Sequence, residues 1–126
     1  MRHPPAVQPV TVRAFLRVST GEQGRTGTSL DGQRVAIAEW CAAKGFPTPT
    51  FYVEVESGSD AKIEARTEQI RLQREAQPGD LVLVTKLDRW SRDIPHAVST
   101  VRALIKRGVG WFAIWMHLDA PTREGD

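Results

Sequence analysis

The sequence contains few of the residues that build disulfide frameworks, zinc sites or membrane spans. Its single cysteine, Cys41, excludes an internal disulfide and a multi-cysteine zinc site. The three histidines show no metal-ligand spacing. No apolar run approaches the roughly 20 residues of a membrane-spanning helix, and the first residues lack the apolar core of a signal peptide. We therefore expect a soluble, cytoplasmic protein.

Neither sign of charge is in clear excess. The 17 basic and 15 acidic residues give a net charge of +2, which does not by itself indicate a nucleic-acid-binding protein. Thirteen of the basic residues are arginines, and arginine binds phosphate through a planar fork of donors that stays protonated. The position of the arginines in the fold is therefore more informative than their charge.

The length and the local patterns predict one α/β domain. Residues 1–9 contain three prolines and no periodicity, so we expect a flexible N-terminal arm before a domain at residues 10–126. Strands are predicted at residues 10–16, 51–55, 81–84 and 109–115, and helices at residues 30–44, 67–77 and 94–107. This alternation predicts a mostly parallel central sheet of about four strands flanked by helices.

The helices should cover the sheet with apolar stripes. For the first helix, which Ser29 can cap, the expected stripe consists of Leu30, Ile37, Ala38, Cys41 and Ala42. For the last helix, it consists of Val98, Val101, Leu104 and Ile105.

Two polar motifs follow predicted strands. Arg17-Val18-Ser19-Thr20 comes after the first strand, and the segment from Lys86 to Arg92 comes after the third. Because the carboxyl ends of parallel strands meet at one edge of a sheet, both motifs should emerge there, where open α/β folds place their chemistry. A hydroxyl flanked by arginines suits attack on a phosphodiester. Ser19 is therefore the candidate nucleophile.

Further motifs occur in a fixed order along the chain. They are Gln23, Ser29-Leu30 with Gln33, Ser57-Gly58, Arg66, the Gly79-Asp80 turn, and Leu87-Asp88-Arg89 with Ser91-Arg92. With the Arg-Val-Ser-Thr motif, this order resembles the catalytic domain of the resolvase, invertase and transposase family of serine recombinases. The resemblance extends from Val12 to about Thr122 and implies a flavodoxin-like fold.

The resemblance implies a function. Members of this family cut and rejoin DNA through a 5'-phosphoserine intermediate during site-specific recombination, inversion, integration or transposition. No metal or other cofactor takes part. The partners implied are DNA and further copies of the protein, as a dimer or tetramer. The family continues through a dimerisation helix and a DNA-binding domain, which we expect to be absent from this chain, and the source would be a bacterium, phage or mobile element.

The same resemblance assigns the site residues. The nucleophile is Ser19, the arginines that hold the phosphate are Arg17, Arg66, Arg89 and Arg92, and Asp88 orients an arginine or moves a proton. Gln33 and Arg74 are the expected contacts to DNA phosphates.

Several of these assignments have alternatives. Thr67 follows Arg66 where the family usually has proline, so Arg71 or Lys62 could take the place of Arg66. Gln33 could instead satisfy backbone groups near its helix start, and Asp88 could pair with Arg92 at helical spacing. For the whole chain, the alternatives are a non-catalytic phosphate- or nucleotide-binding module and a hydrolase that forms a phosphoserine.

Overall fold

The computed structural model describes residues 8–19, 29–56 and 66–115. Four strands and four helices follow one another within these ranges: β1 (Val12–Ser19), α1 (Leu30–Lys44), β2 (Thr50–Glu56), α2 (Thr67–Glu75), β3 (Leu81–Val84), α3 (Leu87–Trp90), α4 (Ile94–Lys106) and β4 (Gly110–Ala113). No helix in this part of the chain is long and apolar enough to cross a membrane.

The four strands form one parallel sheet in the order β2-β1-β3-β4, which confirms the predicted α/β fold. Strand β1 pairs with β2 along nearly its whole length, from Arg13 to Ser19. It pairs with β3 only as far as Ala14, opposite Leu83. Strands β2 and β3 lie on opposite sides of β1, so the strand order of the sheet reverses between β1 and β3. In sheets of this kind, such a switch point opens a crevice beyond the carboxyl ends of the strands.

Each face of the sheet is covered by a separate apolar cluster, because successive side chains of a strand point to opposite faces. On one face, Leu16 and Leu83 pack with Ile37 and Cys41 of α1. On the other face, Phe15 packs with residues of α2, α3 and α4, among them Trp90, whose ring centroid lies 5.3 Å from that of Phe15. Cys41 is thus a core residue, as its predicted stripe position indicated.

Local signals set several element ends. Ser29 caps α1 by accepting a hydrogen bond from the Gly32 amide at 3.2 Å. Gly45 ends α1 in the left-handed region, at φ 72°. Gly79, at φ 94°, forms the turn before β3. The following Asp80 is buried and accepts from Arg13 Nε at 2.9 Å, which ties this turn to β1.

Three parts of the sequence interpretation are wrong. The first strand runs from residue 12 to 19 and not from 10 to 16, because β2 pairs with β1 as far as Ser19. The segment after β3 contains the short helix α3, which was not predicted. The apolar stripes are also narrower than expected: Ala38, Ala42, Val98 and Ile105 are exposed, and the buried residues of α4 are Ala97 and Leu104.

The predicted N-terminal arm falls mainly on residues 1–7, which lie outside the described ranges. Its last two residues contact the domain. Gln8 Nε2 donates to the carbonyl of Gly45 at 2.8 Å, and Pro9 is buried.

Candidate active site

The site lies beyond the carboxyl ends of β1 and β3. Arg17 and Ser19 are two residues apart on β1, so their side chains share the face that α2, α3 and α4 cover. Arg17 is almost fully buried, and Ser19, the last residue of the strand, is partly exposed. The candidate nucleophile thus stands at the open end of the strand, two residues after the buried cation Arg17.

The side chain of Gln33 hydrogen-bonds to the backbone of β1 beyond the point where pairing with β3 ends. Its Oε1 accepts from the backbone amide of Arg17 at 3.3 Å, and its Nε2 donates to the Arg17 carbonyl at 3.1 Å. Because β3 stops pairing at Ala14, this fully buried amide supplies the backbone partners that a neighbouring strand would supply. Gln33 therefore positions the strand that carries Ser19, which fits the backbone alternative. A direct contact with DNA phosphate stays a prediction.

The guanidinium of Arg17 joins three elements. It donates through Nε to the carbonyl of Arg89 at 3.2 Å and through Nη2 to the carbonyl of Asp88, and its Nη1 pairs with Glu56 Oε1 at 2.7 Å. In return, Arg89 Nη1 donates to the Arg17 carbonyl at 3.1 Å. Strands β1 and β2 and helix α3 are thereby fixed to one another around the site.

Three further arginines lie close enough to Arg17 to act on its charge. Burial lowers the pKa of Arg17, and the positive charges of Arg92, Arg89 and Arg66 lower it further, while Glu56 opposes them. Arg89 and Arg66 are buried and Arg92 is exposed. Arginine remains protonated in such surroundings. The site therefore carries concentrated positive charge, for which an anion is the natural counterpart.

Arg66 enters the site from the start of α2. Glu54 of β2 fixes this helix start, because its Oε1 accepts from the amides of Glu68 at 2.9 Å and Gln69 at 3.3 Å. Arg66 Nη1 donates to Ser91 Oγ at 2.9 Å and lies 2.9 Å from His96 Nδ1. Within the described ranges, its buried Nε has no hydrogen-bonding partner.

The side chains of Asp88 and Arg74 are exposed, unlike those of Arg17, Arg66 and Arg89. The side chain of Asp88 is exposed, and its backbone carbonyl is the group that bonds to Arg17. Arg74 is exposed in the last turn of α2, about 12 Å along the helix from Arg66 by the rise of an α-helix. The structure thus brings Arg17, Arg66, Arg89 and Arg92 together and leaves Arg74 outside this group. The roles proposed for Asp88 and Arg74 stay predictions.

The alternatives to Arg66 can be placed in part. Arg71 is exposed, pairs with Glu68 and Glu75 and stacks over the ring of Tyr52, so it is engaged elsewhere on α2. Lys62 lies outside the described residues, as do Thr20, Gln23, Ser57 and Gly58. The ranges that are described contain no group of three or more His, Cys, Asp or Glu side chains that could hold a metal ion.

The sequence interpretation assigned no role to three side chains that shape the site, although Ser91 belongs to the motif after the third strand. Glu56 pairs with Arg17, while Ser91 and His96 contact Arg66. The acidic end of the second strand, next to the strand that carries Arg17, was an available signal for Glu56. His96 lies 30 residues from Arg66 in the sequence, and no local pattern connects the two.

Comparisons with known proteins agree with this architecture. A family model described as "Resolvase, N terminal domain" matches residues 12–126. The chain is 35% identical over 95 residues to a resolvase of Escherichia coli, and this alignment covers 72% of this chain and 39% of the relative. It is 32% identical over 73 residues to the probable DNA-invertase y4cG of Sinorhizobium fredii, which covers 58% of this chain and 24% of the relative.

A crystal structure shares the fold. The N-terminal catalytic domain of TP901-1 integrase aligns with a TM-score of 0.64 and 28% identity, over 82% of this chain and 77% of that one. The aligned regions span less than half of the two curated relatives, 39% and 24% of their lengths. The family model, by contrast, includes the whole sheet and every arginine of the site. The chain belongs to the resolvase N-terminal domain family.

Proposed function

We propose that this chain is the catalytic domain of a serine recombinase, which cuts and rejoins DNA through a covalent bond to Ser19. Arg17, on the strand that carries Ser19, lies within electrostatic reach of Arg66, Arg89 and Arg92, and guanidinium groups match phosphate oxygens in geometry and charge. The similarity to a resolvase and a probable DNA-invertase supports DNA as the substrate.

The proposed reaction is a transesterification. Ser19 Oγ attacks a backbone phosphorus, the bond from phosphorus to the 3' oxygen breaks, and the proton of the serine ends on that oxygen. The products are a 5'-phosphoserine and a free 3' hydroxyl. Rejoining is the reverse step, in which a 3' hydroxyl attacks the phosphoserine and releases Ser19. The bond energy is conserved, so the reaction needs no ATP and no cofactor.

The arginines would supply the stabilisation. Negative charge spreads over the phosphoryl oxygens in the transition state, and fixed cations lower the barrier most when they need no rearrangement. Arg17 and Arg89 are held by their mutual backbone contacts. Asp88 follows β3 at the same edge, where it would orient an arginine or accept the serine proton.

The observation that carries the proposal is the buried Arg66 Nε, which has no partner within the described residues. An unpaired buried donor costs about 1–3 kcal/mol, and a phosphate oxygen would satisfy it. Substrate binding would thus give this donor an acceptor that the described residues do not provide.

The test is covalent capture. The protein is incubated with a randomised duplex library, denatured, and examined for DNA that stays attached, and mass spectrometry then locates the linkage. We expect an adduct at Ser19 that disappears in Ser19→Ala and persists in Ser99→Ala, an exposed serine of α4. An adduct at Ser91 or Cys41 would refute the assignment. Phosphate binding without any adduct would favour the non-catalytic module.

Two further proposals follow from this function. DNA cleavage on two strands, with exchange of their ends, calls for at least two copies of the nucleophile, so we propose that the protein acts as a dimer or tetramer. The proposed place of action is the cytoplasm, where bacterial DNA is found.

A further inference from the structure

His96 stands in the first turn of α4, directly beside Arg66. Its Nδ1 lies 2.9 Å from Arg66 Nη1 and 3.0 Å from Ser91 Oγ, and Arg66 Nη1 also donates to Ser91 Oγ at 2.9 Å. The backbone amide of His96 donates to the Asp93 carboxylate at 3.1 Å, which fixes the residue at the helix start. Imidazole, hydroxyl and guanidinium therefore form a closed triangle.

This triangle depends on the protonation of the imidazole. A guanidinium has donors and no acceptor, so the nitrogen that faces Arg66 must present a lone pair. We therefore assign the ring the neutral form with its proton on Nε2. A protonated His96 would direct an N–H at Arg66 and place a second positive charge beside it. In this assignment, protonation of Nδ1 breaks the contact with Arg66.

We propose that His96 is a positioning residue for Arg66. Its Nδ1 and the Ser91 hydroxyl fix the Nη1 side of the guanidinium, so that the buried Nε side is presented to a phosphate oxygen of the DNA. This inference rests on the proposed function and assigns to it a residue that no motif of the chain marks. Outer contacts of this kind orient a ligand-binding side chain without touching the ligand.

The charges around the ring define a pH dependence. Two charged groups bear on it within the described residues: Arg66 at the start of α2 and Asp93 before α4. Burial and the charge of Arg66 lower the pKa of His96 below its ordinary value of 6.5, and Asp93 opposes them. The ring is thus neutral at pH 7. Acidification through the lowered pKa should release Arg66 and reduce cleavage.

Three variants of the full chain separate the acceptor from the bulk of the ring. His96→Asn keeps an acceptor near the position of Nδ1 and does not titrate, whereas His96→Leu fills the space without an acceptor. Ser99→Ala is the control on the same helix. Circular dichroism and thermal unfolding identify variants that are folded.

Nuclear magnetic resonance tests the contact without requiring cleavage. In the wild-type protein, the ¹⁵N signals of His96 should show an unprotonated Nδ1 at neutral pH. On titration with inorganic phosphate, the Arg66 Nε–H signal should shift in the wild type and in His96→Asn, and less in His96→Leu. A proton on Nδ1, or an equal shift in all three proteins, would overturn the inference even if the leucine variant did not fold well enough for kinetics.

Adduct formation with captured DNA gives the kinetic test. At saturating DNA, His96→Leu should be slower by about ten- to a hundred-fold, the size of effect that such orienting contacts have at metal sites. His96→Asn should remain close to the wild-type rate and lose the decline at acid pH. A folded His96→Leu with the wild-type rate and pH profile would contradict the inference.

The two proposals fail in different ways. If the wild-type protein forms no Ser19 adduct, the proposed function is wrong, and the state of Nδ1 and the phosphate titration alone decide the part of His96. If the adduct forms and His96→Leu matches the wild type, only the positioning inference is wrong.

Discussion

Arg17 and Arg89 each bond to the backbone of the other. Arg17 Nε donates to the Arg89 carbonyl at 3.2 Å, and Arg89 Nη1 donates to the Arg17 carbonyl at 3.1 Å. Both side chains are buried, yet both belong to the cluster proposed to hold the phosphate. The same guanidiniums therefore serve the fold and the chemistry.

Lysine at either of these two positions should lower both the stability of the fold and the rate of adduct formation. An ammonium is a point charge and cannot reproduce the planar fork, so Arg17→Lys and Arg89→Lys each leave buried backbone acceptors without a partner. We expect each variant to lose about 1–3 kcal/mol of unfolding free energy and about a hundred-fold in adduct rate. Urea unfolding and the covalent capture assay measure the two effects.

Arg92→Lys is the matched comparison, because Arg92 belongs to the same cluster and is exposed. Its unfolding free energy should stay within about 0.5 kcal/mol of the wild type, while its adduct rate falls. If Arg92→Lys destabilised the fold as much as Arg17→Lys, the distinction between buried and exposed arginines would be wrong.

Cleavage should not require a divalent metal. The proposed charge stabilisation comes from Arg17, Arg66, Arg89 and Arg92, which need no added ion. A strong chelator should therefore leave adduct formation at Ser19 unchanged. Activity that disappears with the chelator and returns with Mg²⁺ would indicate a metal-dependent nuclease and contradict this reaction scheme.

Gln33→Met should destabilise the protein by about 1–3 kcal/mol. Methionine fills similar space but offers neither the donor nor the acceptor that Gln33 presents to the backbone of Arg17. Chemical unfolding measures the loss, and Glu39→Ala, on the exposed side of the same helix, serves as the control. An unchanged unfolding midpoint would show that the backbone near Ser19 does not depend on this amide.

The stability of the domain should respond to pH through Glu54. Burial raises the pKa of this carboxyl, although the amides of Glu68 and Gln69 favour the charged form. When the pKa of a group is higher in the folded than in the unfolded protein, its contribution to stability is fully present below the unfolded-state pKa, here 4.5. That contribution is lost as the pH rises through the folded-state pKa.

Glu54→Gln keeps an acceptor for the two amides and cannot ionise. The variant should therefore gain stability relative to the wild type as the pH rises from below 4.5 through the raised pKa, with a constant difference above it. Thermal unfolding across this range checks the prediction. A wild-type protein that becomes more stable than the variant with rising pH would show that the amide bonds outweigh the burial of the charge.

The sequence correctly predicted that the two arginine-containing motifs, after β1 and after β3, lie next to each other in the fold. Apolar runs identified β1 and β3, and the parallel arrangement placed Arg17 and Arg89 at one edge. The length of β1 was not predictable from the run itself, because pairing with β2 carries the strand through the polar end to Ser19. Periodicity shows which residues are apolar; only the neighbouring elements determine how far a strand continues.

The remaining site contacts join distant segments through side chains. The pairs Arg17–Glu56 and Arg66–His96 form because particular helix and strand ends converge in the fold. No spacing pattern in the sequence predicts that convergence. The apolar stripe of α4 was overestimated for a similar reason. Ala97 and Leu104 meet the sheet, whereas Val98 and Ile105 lie on the open side of the helix.

The interval of 72 positions between Arg17 and Arg89 has a consequence for the chain before it is folded. Arg17 on β1 and Arg89 after β3 become neighbours only when β3 has docked beside β1. Until then, Ser19 lacks the cations that are proposed to assist it. The proposed cleavage depends on this cluster, so a chain whose sheet is incomplete would not carry it out.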